Sequence, residues 1–233
     1  MNILGLEYLA IVVWRNLKRI VTLLFMKYTR IKSGFVAILV LSILALAKLD
    51  VFAADQSQLI GALQQGGYVV YMRHGDTTGE PLDRTRDLTN RALQRNLSEA
   101  GRAQATAIGE AIRRLELKVG HVATSPVFRT RDTAELAFGV DQVEVDPWLI
   151  ADDYASGGYQ EYIVKLREYL ATPPEEGNTW LIGHVIPIAM ATSSEVDRRN
   201  FPEGAAAVFK PGNTEYELIG ILDAGWQEIT RSD

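Results

Sequence analysis

The chain has 233 residues, no cysteine and a formal net charge of −5 at pH 7. The missing thiols exclude disulfides, zinc–thiolate sites and cysteine nucleophiles. Of 24 basic and 29 acidic residues, seven and two lie in residues 1–54, so residues 55–233 carry 17 and 27, a net −10. That balance argues against a nucleic-acid partner, which needs a basic footprint. A phosphate site on so acidic a body must be made by local, aimed cations.

Residues 1–54 read as a membrane-targeting segment. Gly34 to Ala47 is an uncharged apolar run of 14 residues, preceded by Lys27, Arg30 and Lys32 and followed by Val51-Phe52-Ala53-Ala54. This is the secretory signal pattern. The run is short for a membrane span, which needs about 20 residues. Cleavage after Ala53 or Ala54 is therefore expected, with an uncleaved anchor helix as the alternative. Residues 1–25 form a second apolar stretch broken by Glu7, Arg15, Lys18 and Arg19, and Met26 begins a well-proportioned signal by itself. The expected translation start is Met26. Either way the working domain, residues 55–233, is expected beyond the membrane, periplasmic or secreted, touching the membrane only through an uncleaved segment.

Leu59 to Leu63 reads as a short helix ended by Gly66-Gly67. Tyr68 to Met72 is rich in β-branched and aromatic residues and reads as a buried strand. Residues 76–97 are polar and irregular, a long functional loop. Ser98 is a good N-cap for a helix to about Leu117. Ile108, Ile112 and Leu115 form its apolar stripe, extended by Ala103, Ala107 and Ala111. Val119 to Thr124 reads as a strand, and Pro126 opens a helix through about Phe138. Val143 to Val145 is a short strand, Tyr159 to Leu170 a helix, and Thr179 to Ile182 a strand. Pro187 opens a short helix; Ala206–Phe209 and Tyr216–Leu222 are late strands. Alternating strands and helices predict an α/β fold, a mainly parallel central sheet with helices on both faces.

In open α/β sheets, ligands bind beyond the carboxyl ends of the strands. Three strand ends carry reactive groups: Arg73-His74-Gly75-Asp76-Thr77, Thr124-Ser125-Pro126-Val127-Phe128-Arg129 and Gly183-His184. In a parallel sheet these exits share one edge, where two histidines and two arginines converge. Guanidinium forks bond phosphate oxygens in pairs. Imidazole can attack phosphorus, and near-neutral titration lets one ring attack while another donates. His121, inside the second strand, reads as structural. Asp132 reads as helix-surface or near the N-terminal turns of its helix, and not catalytic.

The joint pattern resembles the histidine phosphatase superfamily, the phosphoglycerate-mutase-like proteins. It rests on Tyr71 to Thr77, Asn96-Leu97-Ser98-Glu99-Ala100-Gly101-Arg102-Ala103-Gln104-Ala105, Thr124 to Thr130, Asp132-Thr133-Ala134 and Leu181-Ile182-Gly183-His184. The likeness spans about residues 66–222. It implies His74 as the phosphorylated nucleophile, Arg73 and Arg129 as clamps on the phosphoryl oxygens, and His184 as the second pocket histidine. It implies no metal and no other cofactor. The leaving-group acid departs from the pattern: aligned on Leu149, the expected glutamate position holds Ala151. Asp152 is the favoured substitute, with Asp153 and Asp76 as alternatives. A second departure is Val185 after His184.

These readings together imply an exported phosphomonoesterase acting on a small phosphorylated molecule or an envelope sugar phosphate. The alternatives are a phosphate- or phosphoprotein-binding module that has lost catalysis and a phosphoglycerate-type mutase, against which export argues.

Overall fold

The computed structural model describes residues 56–79, 83, 86–155 and 158–229. The targeting segment expected over residues 1–54, with its Met26 start and its anchor or signal helix, lies outside the described residues. Among the described residues no helix is long and apolar enough to cross a membrane.

A helix over 56–65, α1, leads into β1, Val69–Arg73. There follow α2, Glu99–Arg114; β2, Val122–Thr124; α3, Phe128–Phe138; and β3, Glu144–Val145. The chain continues through α4, Gln160–Ala171; β4, Thr179–Gly183; α5, Val185–Ala191; β5, Ala206–Pro211; and β6, Tyr216–Leu222. The six strands form one sheet in the order β3-β2-β4-β1-β5-β6.

Side chains alternate across a strand, so each strand feeds two cores. Val70 and Met72 of β1 pack with Leu63 of α1, Ile108 and Ile112 of α2 and Ala134 of α3. Val69 and Tyr71 face the other way, toward Ile163 and Leu166 of α4 and Ile188 of α5. The helices therefore cover both faces. Ser98 caps α2, its side chain accepting from the Gly101 N–H. The buried stripe of α2 runs Gly101, Ala105, Ile108, Gly109, Ala111 and Ile112, whereas Ala103 faces outward.

The sheet is mainly parallel, as expected, but one strand is reversed. β2, β3, β4 and β1 are mutually parallel, but β5 is antiparallel to both β1 and β6, so the sheet is mixed. Parallel neighbours need a crossover of a dozen or more residues. β5 and β6 are joined by residues 212–215 alone, which permits only a hairpin. After α5 the chain instead passes over the carboxyl edge of β1 and enters β5 there, where Met72 pairs with Ala206.

Three smaller expectations change. α3 begins at Phe128, with Pro126 in the bend before it. His121 precedes β2 and is exposed, 3.8 Å from Glu144. Asp132 is buried rather than at the surface; Arg91 reaches it at 2.6 and 2.8 Å and Arg102 at 2.9 Å.

Candidate active site

β2, β4 and β1 are adjacent and parallel, so their carboxyl ends open onto one edge. A cavity of about 630 Å³ lies there, lined by Arg73, His74, Arg129, Asp152, Asp153 and His184 among others. Asp76, the remaining acid candidate, does not line it. Its carboxylate accepts from Ser98 Oγ at 2.5 Å, and the residue is exposed.

His74 is held by three neighbours of its turn. Its backbone N–H donates to the Gly183 carbonyl at 3.2 Å, and its carbonyl accepts from the Gly204 N–H at 3.0 Å. The Gly75 N–H donates to Thr133 Oγ1 at 3.0 Å, which ties the turn to α3. The ring is buried, and Nδ1 lies 2.8 Å from the Gly75 carbonyl. A carbonyl only accepts, so Nδ1 carries the hydrogen and Nε2 keeps its lone pair. Burial, then the nearby Arg129 charge, pushes the imidazole well below its usual range. The ring is thus neutral with a free nitrogen lone pair at ordinary pH.

The second histidine is fixed as firmly. Its ring centroid is 5.6 Å from that of His74. The Tyr71 hydroxyl donates to the His184 carbonyl at 2.9 Å and accepts its N–H at 2.8 Å. A Cβ on Gly183 would stand 2.0 Å from that hydroxyl, so only glycine fits before His184. His184 Nε2 lies 2.9 Å from Ser125 Oγ. Ser125 Oγ accepts the Val127 N–H at 3.4 Å and can give its own hydrogen to Nε2. In that arrangement Nδ1 bears the ring hydrogen; Nδ1 is buried and has no hydrogen-bond partner among the described residues. Burial, then the Arg129 and His74 charges, pushes this imidazole down as well. Val185, the residue that departs from the family pattern, is buried in the cavity wall.

The two arginines are anchored differently. Arg73 donates to the Phe201 carbonyl at 2.8 Å and to Glu203 at 3.2 Å. Arg129 is nearly buried, and one of its Nη groups reaches both Asp83 oxygens at 3.0 and 3.2 Å. Asp83 also accepts from the Tyr154 hydroxyl at 2.6 Å and the Arg95 N–H at 3.0 Å. The Nε atoms of Arg73 and Arg129 are buried without a partner. Asp152 is half-buried, and burial, then the Asp153 charge, raises its carboxyl above the usual range. A carboxyl so raised is a plausible proton donor in mild acid.

Several residues that line the cavity or hold its side chains were not singled out from the sequence. Glu203 carried no signal at all: it reaches Arg73 only because β5 starts at the active edge. Its carboxylate also accepts from Thr77 Oγ1 at 3.2 Å and lies 3.9 Å from His74 Nδ1. Asp83 and Arg86 sat within the loop read as functional, Arg95 directly before the Asn96-Leu97-Ser98 stretch, and Ser125 inside the strand-exit motif. Arg198 carried no signal. Among the described residues no group of three or more His, Asp or Glu is placed to hold a metal ion.

The spacing of the stretch Leu97 to Gln104 has a structural reason. Gly101 packs against the nucleophile turn so closely that a Cβ would stand 2.0 Å from the Asp76 carbonyl. Arg102 pairs with Asp132, and Gln104 accepts the Asp76 N–H at 3.1 Å and donates to the Glu203 carbonyl at 3.1 Å. The stretch is the scaffold beneath His74.

Comparison with known proteins places these features in a family. No curated protein matches the chain. Among solved structures, it is similar to the proposed phosphohistidine phosphatase SixA of Agrobacterium tumefaciens, at 20% identity and TM-score 0.46, over 68% of this chain and 98% of that one. It is also similar to the protein histidine phosphatase SixA complexed with tungstate, at 17% and 0.48, over 67% and 97%. A mycobacterial glucosyl-3-phosphoglycerate phosphatase gives 19% and 0.42, over 65% and 96%. Residues 69–199 match the histidine phosphatase superfamily, branch 1, and the chain belongs to that superfamily.

Proposed function

We propose that the chain is an exported phosphomonoesterase that works through a phosphohistidine intermediate on a small phosphorylated molecule. One observation carries the reading: His74 presents an unprotonated Nε2 beside Arg73, Arg129 and the unpartnered Nδ1 of His184. Export rests on the basic-then-apolar pattern of residues 27–54.

In this mechanism Arg73 and Arg129 hold the phosphoryl oxygens, and His184 Nδ1–H adds a third donor as charge develops on them. His74 Nε2 attacks phosphorus while the P–O bond to the alcohol breaks. The departing oxygen takes its proton from Asp152. Water then attacks the phosphohistidine and gives its proton to the Asp152 carboxylate. The N–P bond breaks, releasing inorganic phosphate and restoring neutral His74 and protonated Asp152.

The test is hydrolysis of an aryl phosphate across pH 4–8 by the protein and by His74→Ala, with rapid quenching in alkali to trap acid-labile phosphohistidine. Turnover and label in the parent, both absent in the variant, support the reading. An inert parent that still binds phosphate would replace it with a binding module. Movement of phosphate within a doubly phosphorylated acid, without net release, would replace it with a mutase.

A further inference from the structure

The cavity holds more positive charge than one phosphoryl clamp uses. Besides Arg73 and Arg129 it is lined by Arg86, Arg95 and Arg198. Arg73 has Glu203 and Arg129 has Asp83 as carboxylate partners. Arg198 is exposed, and its charge acts on Arg73 and on Asp152. Asp152, Asp153 and Arg198 line the same cavity.

Arg86 and Arg95 differ from Arg73 and Arg129, whereas Arg198, like Arg86, is exposed and has no ion-pair partner among the described residues. Arg86 and Arg95 both come from the loop after β1, and neither side chain has a hydrogen bond or an ion pair to a carboxylate among the described residues. Arg95 is half-buried, with its Nε buried and unpartnered. Buried polar groups in folded proteins normally have partners, and one left alone is a cost that a ligand can remove. Arg95 lines the same cavity as both histidines, Arg73 and Arg129, and its charge acts on all four. A cavity of about 630 Å³ also falls in the range of whole small-molecule sites, so a phosphoryl group alone leaves most of it empty.

We infer that the cavity takes a phosphomonoester carrying a second anionic group, and that Arg86 and Arg95 meet that group. The inference rests on the phosphatase reading of the same site. The second anion lies beside Arg86 and Arg95; the carboxylate of that loop, Asp83, is already held by Arg129, Tyr154 and the Arg95 N–H. Either a second phosphate or a carboxylate satisfies two guanidinium groups.

Three probes separate the cases: glucose 6-phosphate, 6-phosphogluconate and glucose 1,6-bisphosphate. The expected result is a kcat/KM at least about tenfold higher for one or both doubly anionic compounds, as for one or two partly exposed charge pairs. The compound preferred identifies the second group as carboxylate or phosphate. Arg86→Gln should cut the preference several-fold, and Arg86→Gln/Arg95→Gln should abolish it. The preference should also shrink as salt rises. Arg86 is exposed and unpartnered, so its variant tests binding rather than folding.

Equal rates on all three compounds, or a preference that survives the double variant, overturns the inference while leaving the phosphatase reading intact. If nothing is hydrolysed, calorimetric binding of the same compounds decides. Tighter binding of a doubly anionic one that Arg86→Gln weakens keeps the inference and removes the phosphatase reading. Equal binding removes both.

Discussion

Asp83 grips Arg129 with both carboxylate oxygens, at 3.0 and 3.2 Å from one Nη. A carboxylate on a guanidinium fork presents the same pair of oxygens as a phosphoryl group. Asp83 therefore competes with the anion that the family resemblance assigns to Arg129. Asp83→Asn is expected to tighten inhibition by inorganic phosphate by about 3- to 10-fold, an effect of roughly 1 kcal/mol for removing one nearby like charge. Weaker phosphate inhibition in the variant would show that Asp83 instead orients Arg129 for the ligand.

Ser125 is the side chain that meets Nε2 of His184. Ser125→Ala removes the 2.9 Å contact at Nε2 and leaves the ring free to take the other tautomer. The expected cost is on the order of tenfold in kcat, with KM nearly unchanged, because the lost donor acts mainly on transition-state charge. Ser125→Thr keeps the hydroxyl and should retain more activity than the alanine variant. A loss expressed only in KM would sink the tautomer argument.

Asp152 must be protonated to donate, and burial beside Asp153 raises its carboxyl. His74 must be neutral to attack, and burial keeps it so in mild acid. The kcat/KM profile should therefore peak on the acid side of neutrality, falling in alkali as Asp152 loses its proton. Asp152→Asn should remove most of that alkaline limb. It should cost about 100-fold or more on an alkyl phosphate, within the usual range for a general acid. On an aryl phosphate, whose leaving group needs no proton, the cost should be under about tenfold. Equal losses on both substrates would exclude Asp152 as the donor.

Thermal stability should follow the two histidines. Both bind a proton more weakly when folded than when unfolded. Below the unfolded value of about 6.5 the unfolded chain binds more protons, so stability is fully present above that pH and is lost as pH falls below it. The melting temperature should rise between pH 5 and 7 in calorimetry. His184→Gln should flatten that rise, and a slope unaffected by the substitution would assign it to other groups.

Gly101→Ala introduces a methyl 2.0 Å from the Asp76 carbonyl, backbone against backbone. Neither side can yield without moving α2 from the His74 turn. The variant should lose about 1–3 kcal/mol of stability, as overpacked sites do, and most of its activity. Gly61→Ala, at a helix position with nothing within 4 Å, serves as the control and should leave both unchanged.

Much of this was legible from sequence because it is local. β-branched and aromatic runs marked β1 and β4, Ser98 marked its helix, and strand exits marked His74, His184 and Arg129. What escaped depends on chain direction at a distance. Nothing in Ala206–Pro211 states that β5 runs against β1, so Glu203 and Phe201 could not be assigned to Arg73. Asp132 was misplaced because its partners, Arg91 and Arg102, lie 41 and 30 residues away. The acid remained divided among three aspartates until the cavity separated Asp152 and Asp153 from Asp76.

The reversal of β5 also ties chemistry to the order in which the polypeptide is made. The nucleophile turn emerges early, yet Arg73 gains its carbonyl and carboxylate partners only from Phe201 and Glu203. Those residues lie beyond the segment, 69–199, that matches the family. A chain threaded in a line from its N-terminus therefore carries both histidines and both arginines while still lacking one wall of the pocket. Until Phe201 and Glu203 are in place, Arg73 lacks the two groups that hold it.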